Sequence, residues 1–286
     1  MPAIQACHSQ SRSPNFSLGL GFCLIGIFCS GIPIDAQETT TSSSSLTARE
    51  LAEESIPWGD LTESAKSRLQ NVISDTTLFQ RLSVQQVHCD SNIYVHLARH
   101  PEILANMWEL MGVTKLRIDR TDKYRMQVDD GQGTKANMEL IYGTPHLHLF
   151  FCEGTYQGAL IPTVSTGRAI IIIRSRYLQQ KSIPTVRHQM DLFLQIDDVA
   201  DQLIVKTLSY FFMKTADANF AETTQFLGQI DDIVRKNPTG MKRLSKRLTR
   251  VEVPIRNQFS ELVESANAQY VRLARTQNKS VVLTQK

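Results

Sequence analysis

The chain lacks a Gly-x-x-x-x-Gly-Lys phosphate loop, a Gly-x-Ser-x-Gly turn and any Cys-x-x-Cys pair. Those absences remove the phosphate cradle of nucleotide-dependent enzymes, the strained serine turn of many hydrolases and the shortest zinc or dithiol motif. An excess of one charge is lacking too. The 31 basic and 28 acidic residues leave a net charge of +3, too mild to hold a nucleic-acid backbone. No cofactor and no nucleic-acid partner are therefore expected. Asp130-Gly131-Gln132-Gly133 comes nearest to a glycine loop, but extended sequence follows it where a dinucleotide-binding unit would start a helix.

Cysteine is scarce, and three of the five, Cys7, Cys23 and Cys29, fall within the first 36 residues. In that stretch Arg12 precedes an apolar run from Phe16 to Ile34, whose strongest part, Leu18 to Phe28, has the length of a signal-peptide core. Pro33 and Ile34-Asp35-Ala36 then offer a cleavage site, although Ile34 departs from the small residue usual at that position. Residues 1–36 are read as a signal peptide, with the mature chain starting near Gln37 in a periplasmic or extracellular setting. An uncleaved membrane anchor is the alternative. It would need about 20 apolar residues, and Gly19, Gly21 and Gly26 dilute the run. Cleavage leaves only Cys89 and Cys152. One disulfide between them would add roughly 4 kcal/mol by loop closure; two buried thiols are the other reading.

What remains is enough for one core, since 42% of the chain is hydrophobic. Residues 37–45, rich in Thr and Ser, read as a flexible linker. Residues 46–82 read as a helical region, interrupted at Pro57-Trp58-Gly59. From Ser83 a short extended stretch, Val84 to Cys89, precedes a helix over Ser91 to Met111 that Gly112 closes. Six extended runs follow: Thr114 to Thr121, Lys123 to Val128, Thr134 to Tyr142, His146 to Cys152, Arg168 to Tyr177 and Thr185 to Ile196. Their separators, Asp129-Asp130-Gly131, Gly143-Thr144-Pro145 and Ser165-Thr166-Gly167, are too short for parallel crossovers, so the sheet is expected to be antiparallel. An apolar stripe from Val199 to Ile233 then predicts a long helix, with a break near Asp217 or Asn219 and a stop at Asn237-Pro238.

This order of strand, helix, antiparallel sheet and closing helix, over residues 83–237, resembles the helix-grip fold of the START and Bet v 1-like superfamily. The resemblance implies an α+β class in which a curved antiparallel sheet packs against a long C-terminal helix, here with extra N- and C-terminal helices. It also implies a ligand, commonly a lipid, sterol or other apolar small molecule, held between sheet and helix.

Several side chains invite chemistry. His96 and His100, four apart on a helix, share a face as a metal pair would, but Leu97 stands where a zinc protease carries its glutamate. Surface histidines near a helix end are the plainer reading. His146 and His148 alternate with apolar residues along a strand, with Glu153 beyond its end, a set that suits a zinc or iron site if all three converge. His188 shares a strand face with Met190, Leu192, Leu194 and Ile196, so it is either a satisfied core histidine or a polar anchor in an apolar pocket. Arg174 and Arg176, at the end of an apolar strand, are candidates for binding an acidic ligand head. Asp217, Asn219 and Glu222 are read as caps for a restarting helix.

The basic extension, residues 238–286, places Met241, Leu244, Leu248 and Val251 on one helical face and Lys242, Arg243, Lys246, Arg247 and Arg250 on the others. Such a helix either packs its apolar side on the domain or presents a surface to an anionic membrane or a protein partner. The reading is of an exported, non-enzymatic protein that binds an apolar or amphipathic small molecule. A histidine- or metal-dependent enzyme on the same scaffold, and an envelope interaction protein acting through the basic helix, are the alternatives.

Overall fold

The computed structural model describes residues 43–158, 163–180, 183–197 and 202–284. The expected leader and residues 37–42 of the linker lie outside the described residues. The last linker residues are engaged rather than free: Ser43 bridges to Arg81, and Ser45 caps α1 (Leu46–Glu54) by accepting from Ala48 N. After a single tight turn at Trp58–Asp60 comes α2 (Glu63–Ser74), capped by Thr62.

The helical reading of residues 46–82 fails at its end. Leu78–Arg81 forms strand β1, because its backbone finds a partner in the edge of a distant strand. Strand β2 (Gln85–His88) follows and pairs with that same strand. The single helix expected over Ser91 to Met111 is two: α3 (Ser91–Arg99), capped by Asp90, and α4 (Pro101–Leu110). Pro101 forces the change, since it brings no N–H to continue a helix and favours the first helical position.

Then come β3 (Arg117–Asp122), β4 (Arg125–Asp129), β5 (Thr134–Gly143), β6 (Leu147–Tyr156), β7 (Ser165–Gln180) and β8 (Ile183–Ile196). All pairings are antiparallel, in the order β1-β8-β7-β6-β5-β4-β3, with β2 also on β8. Ser165-Thr166-Gly167, expected as a turn, lies inside β7 and pairs with β6 and β8. Register shifts at Arg120/Asp122 and Leu140/Tyr142 bend the sheet. Helix α5 (Gln202–Lys236) runs 35 residues without the expected break. Asp217 is not a cap: its carboxylate accepts from Ser83 N at 2.7 Å and from Ser83 Oγ at 3.0 Å, tying the helix to the loop before β2. Helices α6 (Pro238–Arg247) and α7 (Val253–Thr284) complete the chain. Among the described residues no helix is long and apolar enough to cross a membrane.

The α+β class and the curved sheet against a long C-terminal helix are as expected. The sheet, however, is covered on both faces. Strand alternation sends Leu149, Phe151, Ile170, Ile172 and Phe193 to an outer face, where Ala65, Leu69 and Val72 of α2 close over them. Each large side chain so buried contributes about 1.5–3 kcal/mol. Met138, Phe150, Cys152, Ile171, Val186 and Met190 face the other way, into the main core with α3, α4 and α5.

The C-terminal extension belongs to that core. Met241, Leu248, Val251, Ile255, Phe259, Val263 and Ala266 are buried, so the apolar stripe of the basic helix packs on the domain. Of its cations, Lys242 pairs with Glu264, and Arg250 reaches Asp119 at 2.6 Å. Arg243, Lys246 and Arg247 remain exposed.

Candidate functional site

A cavity of about 110 Å³ lies between the inner face of the sheet and α5. Helix α3 contributes Tyr94, Leu97 and Ala98 and α4 contributes Pro101 and Leu104, one continuous face despite the helix break. Phe220, Thr223 and Leu227 come from α5, at the three- and four-residue spacing of one helical face. The floor is Ile118, Met138, Phe150, Ile171, Ile173, His188 and Met190, one inward side chain after another across five strands. Thr223 hides its hydroxyl by donating to Asn219 O at 2.8 Å, which leaves its methyl group for the wall. Such a lining excludes water and holds apolar groups.

His188 is buried at the edge of this space, and both its ring nitrogens are used. Nδ1 is 2.9 Å from the Tyr94 hydroxyl and Nε2 is 2.9 Å from Thr224 Oγ1. Tyr94 in turn meets Ser175 Oγ at 2.8 Å, and Thr224 donates to Phe220 O at 2.8 Å. A neutral ring carrying its proton on Nε2 satisfies the whole chain: Nε2–H donates to Thr224, and Nδ1 accepts from Tyr94. Burial pushes the His188 pKa down to about 3, which keeps the ring neutral.

His148 is also fully buried, and neither ring nitrogen has a partner among the described residues. Burial, with the positive charge of Arg99 adding to it, lowers its pKa to about 4. His146 stands apart at the rim, exposed, with Nδ1 3.2 Å from Ser175 O and its ring edge-on to Tyr177. Glu153 is exposed on the face opposite His148, across from Arg168. The suggested His146, His148 and Glu153 set does not converge, because His148 and Glu153 are five residues apart on a strand whose faces alternate. Among the described residues no group of three or more His, Cys, Asp or Glu side chains is placed to hold a metal ion.

His96 and His100 do meet, with ring centroids 4.6 Å apart, but not as surface histidines. His96 is buried and stacked on Phe259 of α7, and burial followed by the neighbouring His100 lowers its pKa to about 4. His100 approaches Glu102, which is fully buried and held by Arg120 at 2.6 Å.

Arg174 and Arg176 are not in the cavity. Both point to the outer face, because they alternate with the inward Ile173 and Ser175. Arg174 is 2.5 Å from Asp191, a fully buried carboxylate that Arg81 also grips with two hydrogen bonds, at 2.7 and 3.0 Å. The cysteines take the second of their two readings. Cys89 and Cys152 are separate, free and buried, and burial raises both thiol pKa values, that of Cys152 to about 12. Tyr94 and Thr224 carry no local signal in the sequence, although Tyr94, Leu97, Ala98 and Pro101 stand at the spacing of one helical face.

No family model and no curated protein match the chain. Solved structures similar to it include a hypothetical protein, jhp0584, from Helicobacter pylori, at 12% identity and a TM-score of 0.35, covering 53% of this chain and 88% of that one. The di-domain ARO/CYC BexL from the BE-7585A biosynthetic pathway matches at 13% identity and a TM-score of 0.33, covering 56% and 52%. Ara h 8.0201 matches at 8% identity and a TM-score of 0.28, covering 48% and 97%. Likeness at this level does not reach function.

Proposed function

We propose that this protein binds a small apolar or amphipathic molecule between the sheet and α5, and that it does so after export. The observation that carries the reading is the apolar pocket, open on one side, at a place where protein interiors are ordinarily close-packed. A dry cavity of about 150 Å³ lined by Leu, Ile and Phe is large enough for benzene. The volume here, about 110 Å³, is about a quarter smaller, so a single ring or a short chain is the upper limit unless α5 moves outward. The apolar run at Phe16 to Ile34 supports export.

The test is titration of the protein with benzene, followed by methyl NMR of Ile171 and Ile173. Saturable shifts confined to the cavity are expected, and Ala98→Leu, which extends two methyl groups into the space, abolishes them. Shifts that are absent, or that survive Ala98→Leu, overturn the reading.

A second reading draws on the exposed Arg243, Lys246 and Arg247 as contacts for an anionic membrane surface. It predicts salt-sensitive binding to vesicles rich in phosphatidylglycerol that is lost when the three are changed to Gln.

A further inference from the structure

A buried polar cluster lies beside the cavity wall. His148 precedes Phe150 by two residues on the inner face and lies directly across from Ile173, and both of those residues line the cavity. Arg99 follows the cavity residue Ala98 at the end of α3. Gly143 sits between the two side chains: a Cβ built there would be 3.7 Å from Arg99 Nε and 3.7 Å from His148 Cδ2. Three buried nitrogens, Arg99 Nε and both of the His148 ring, have no hydrogen-bond partner among the described residues. Among the described residues the Arg99 head is tethered by a 3.1 Å bond from Nη2 to Gly143 O and forms no ion pair.

A buried donor left unmet is destabilising, the more so when it is charged. Here a cationic donor and a histidine share one corner directly behind the wall residues Ala98, Phe150 and Ile173 of an otherwise apolar space. A carboxylate is an acceptor-only group that takes two donors at once, and a guanidinium is its best-matched partner.

Resting on the cavity-binding reading above, we propose that the ligand carries a carboxylate, held by Arg99 Nε–H and a ring N–H of His148, with its apolar body in the cavity. The ligand class is then a compact monocarboxylic acid with one ring or a short chain. The sequence places an acidic head at Arg174 and Arg176; the geometry moves that role to Arg99 and His148. Binding brings a negative charge next to His148 and offsets that of Arg99, so it raises the ring's affinity for a proton.

Benzene and benzoate differ by this one group, and their affinities for the full chain at pH 7 decide the matter. Benzoate is expected to bind at least tenfold more tightly than benzene and to move the His148 ring resonances. Arg99→Met and His148→Phe, both expected to stay folded, should each erase that preference while leaving benzene affinity within about threefold. Benzene binding in a variant reports that its cavity is intact. If benzene binds and benzoate binds no better to the wild-type protein, the carboxylate assignment is overturned and the cavity reading stands. A benzoate preference that survives in both variants overturns the assignment of these residues. If neither probe binds the wild-type protein, both readings fall together.

Discussion

The Tyr94 hydroxyl lies 2.9 Å from His188 Nδ1, with the two rings edge-on at 84°, so one hydrogen bond and one aromatic contact join α3 to β8. Because His188 also reaches Thr224, this pair closes three elements around the cavity. Replacing His188 with Leu leaves Tyr94 and Thr224 with their other partners, so the expected loss is about 1–3 kcal/mol in urea unfolding. Tyr94→Phe should cost less, and the double variant less than the sum. Strict additivity would show that the two residues do not act together.

Acid should destabilise the protein through its buried histidines. His96 and His148 have folded pKa values lowered to about 4, and that of His188 is lowered to about 3, all from 6.5. Between those values and pH 6.5 the unfolded chain binds more protons, so stability rises with pH. The contribution is fully present above about pH 6.5 and is lost as pH falls toward 4. Each such group adds a slope of about 1.4 kcal/mol per pH unit within its window. Urea midpoints measured from pH 4 to 7 should show this, and His148→Phe should flatten the curve by about one proton's worth. An unchanged slope in that variant would mean that His148 titrates normally.

Asp191 is fully buried between Arg81 and Arg174. Asp191→Asn strands two guanidinium groups and should cost about 3 kcal/mol or more. Arg174→Met, by contrast, should leave benzene binding unchanged, because Arg174 faces away from the cavity. A binding loss in Arg174→Met would contradict the assignment of the two faces.

The thiols of Cys89 and Cys152 should be unreactive in the native protein and should both label once it is unfolded without reductant. Peptide mapping after alkylation reads this out. Recovery of a linked Cys89–Cys152 peptide would restore the disulfide.

Phe259 is fully buried against His96, so the basic extension is expected to be part of the fold. Phe259→Ala should cost about 3–5 kcal/mol. A cost under about 1 kcal/mol would make α7 a loosely attached appendage.

Much of the architecture could be read in advance because its signals are local. Alternation along Arg125 to Val128 marks a strand, Asn237-Pro238 ends the long helix, and Asp129-Asp130-Gly131 turns a hairpin. The misreadings share one cause. Leu78–Arg81 is a strand only because the edge of β8 is there to pair with it. Asp217 looks like a cap until Ser83, 134 residues earlier in the chain, takes its carboxylate. Arg174 looks available until α2 and β1 show which face of the sheet is outer.

The sequence by itself determined the class of the fold, the antiparallel sense of the sheet and the presence of a long closing helix. Short turns, alternation and helical periodicity act over a few residues, and composition alone marks them. Only the tertiary structure decided which sheet face holds the cavity, that His188 is satisfied while His148 is not, and that Arg99 rather than Arg174 stands beside the site. Those outcomes depend on which side chains arrive from elements tens of residues away. A buried polar group is settled by its partners, and partners distant in the chain leave no local pattern.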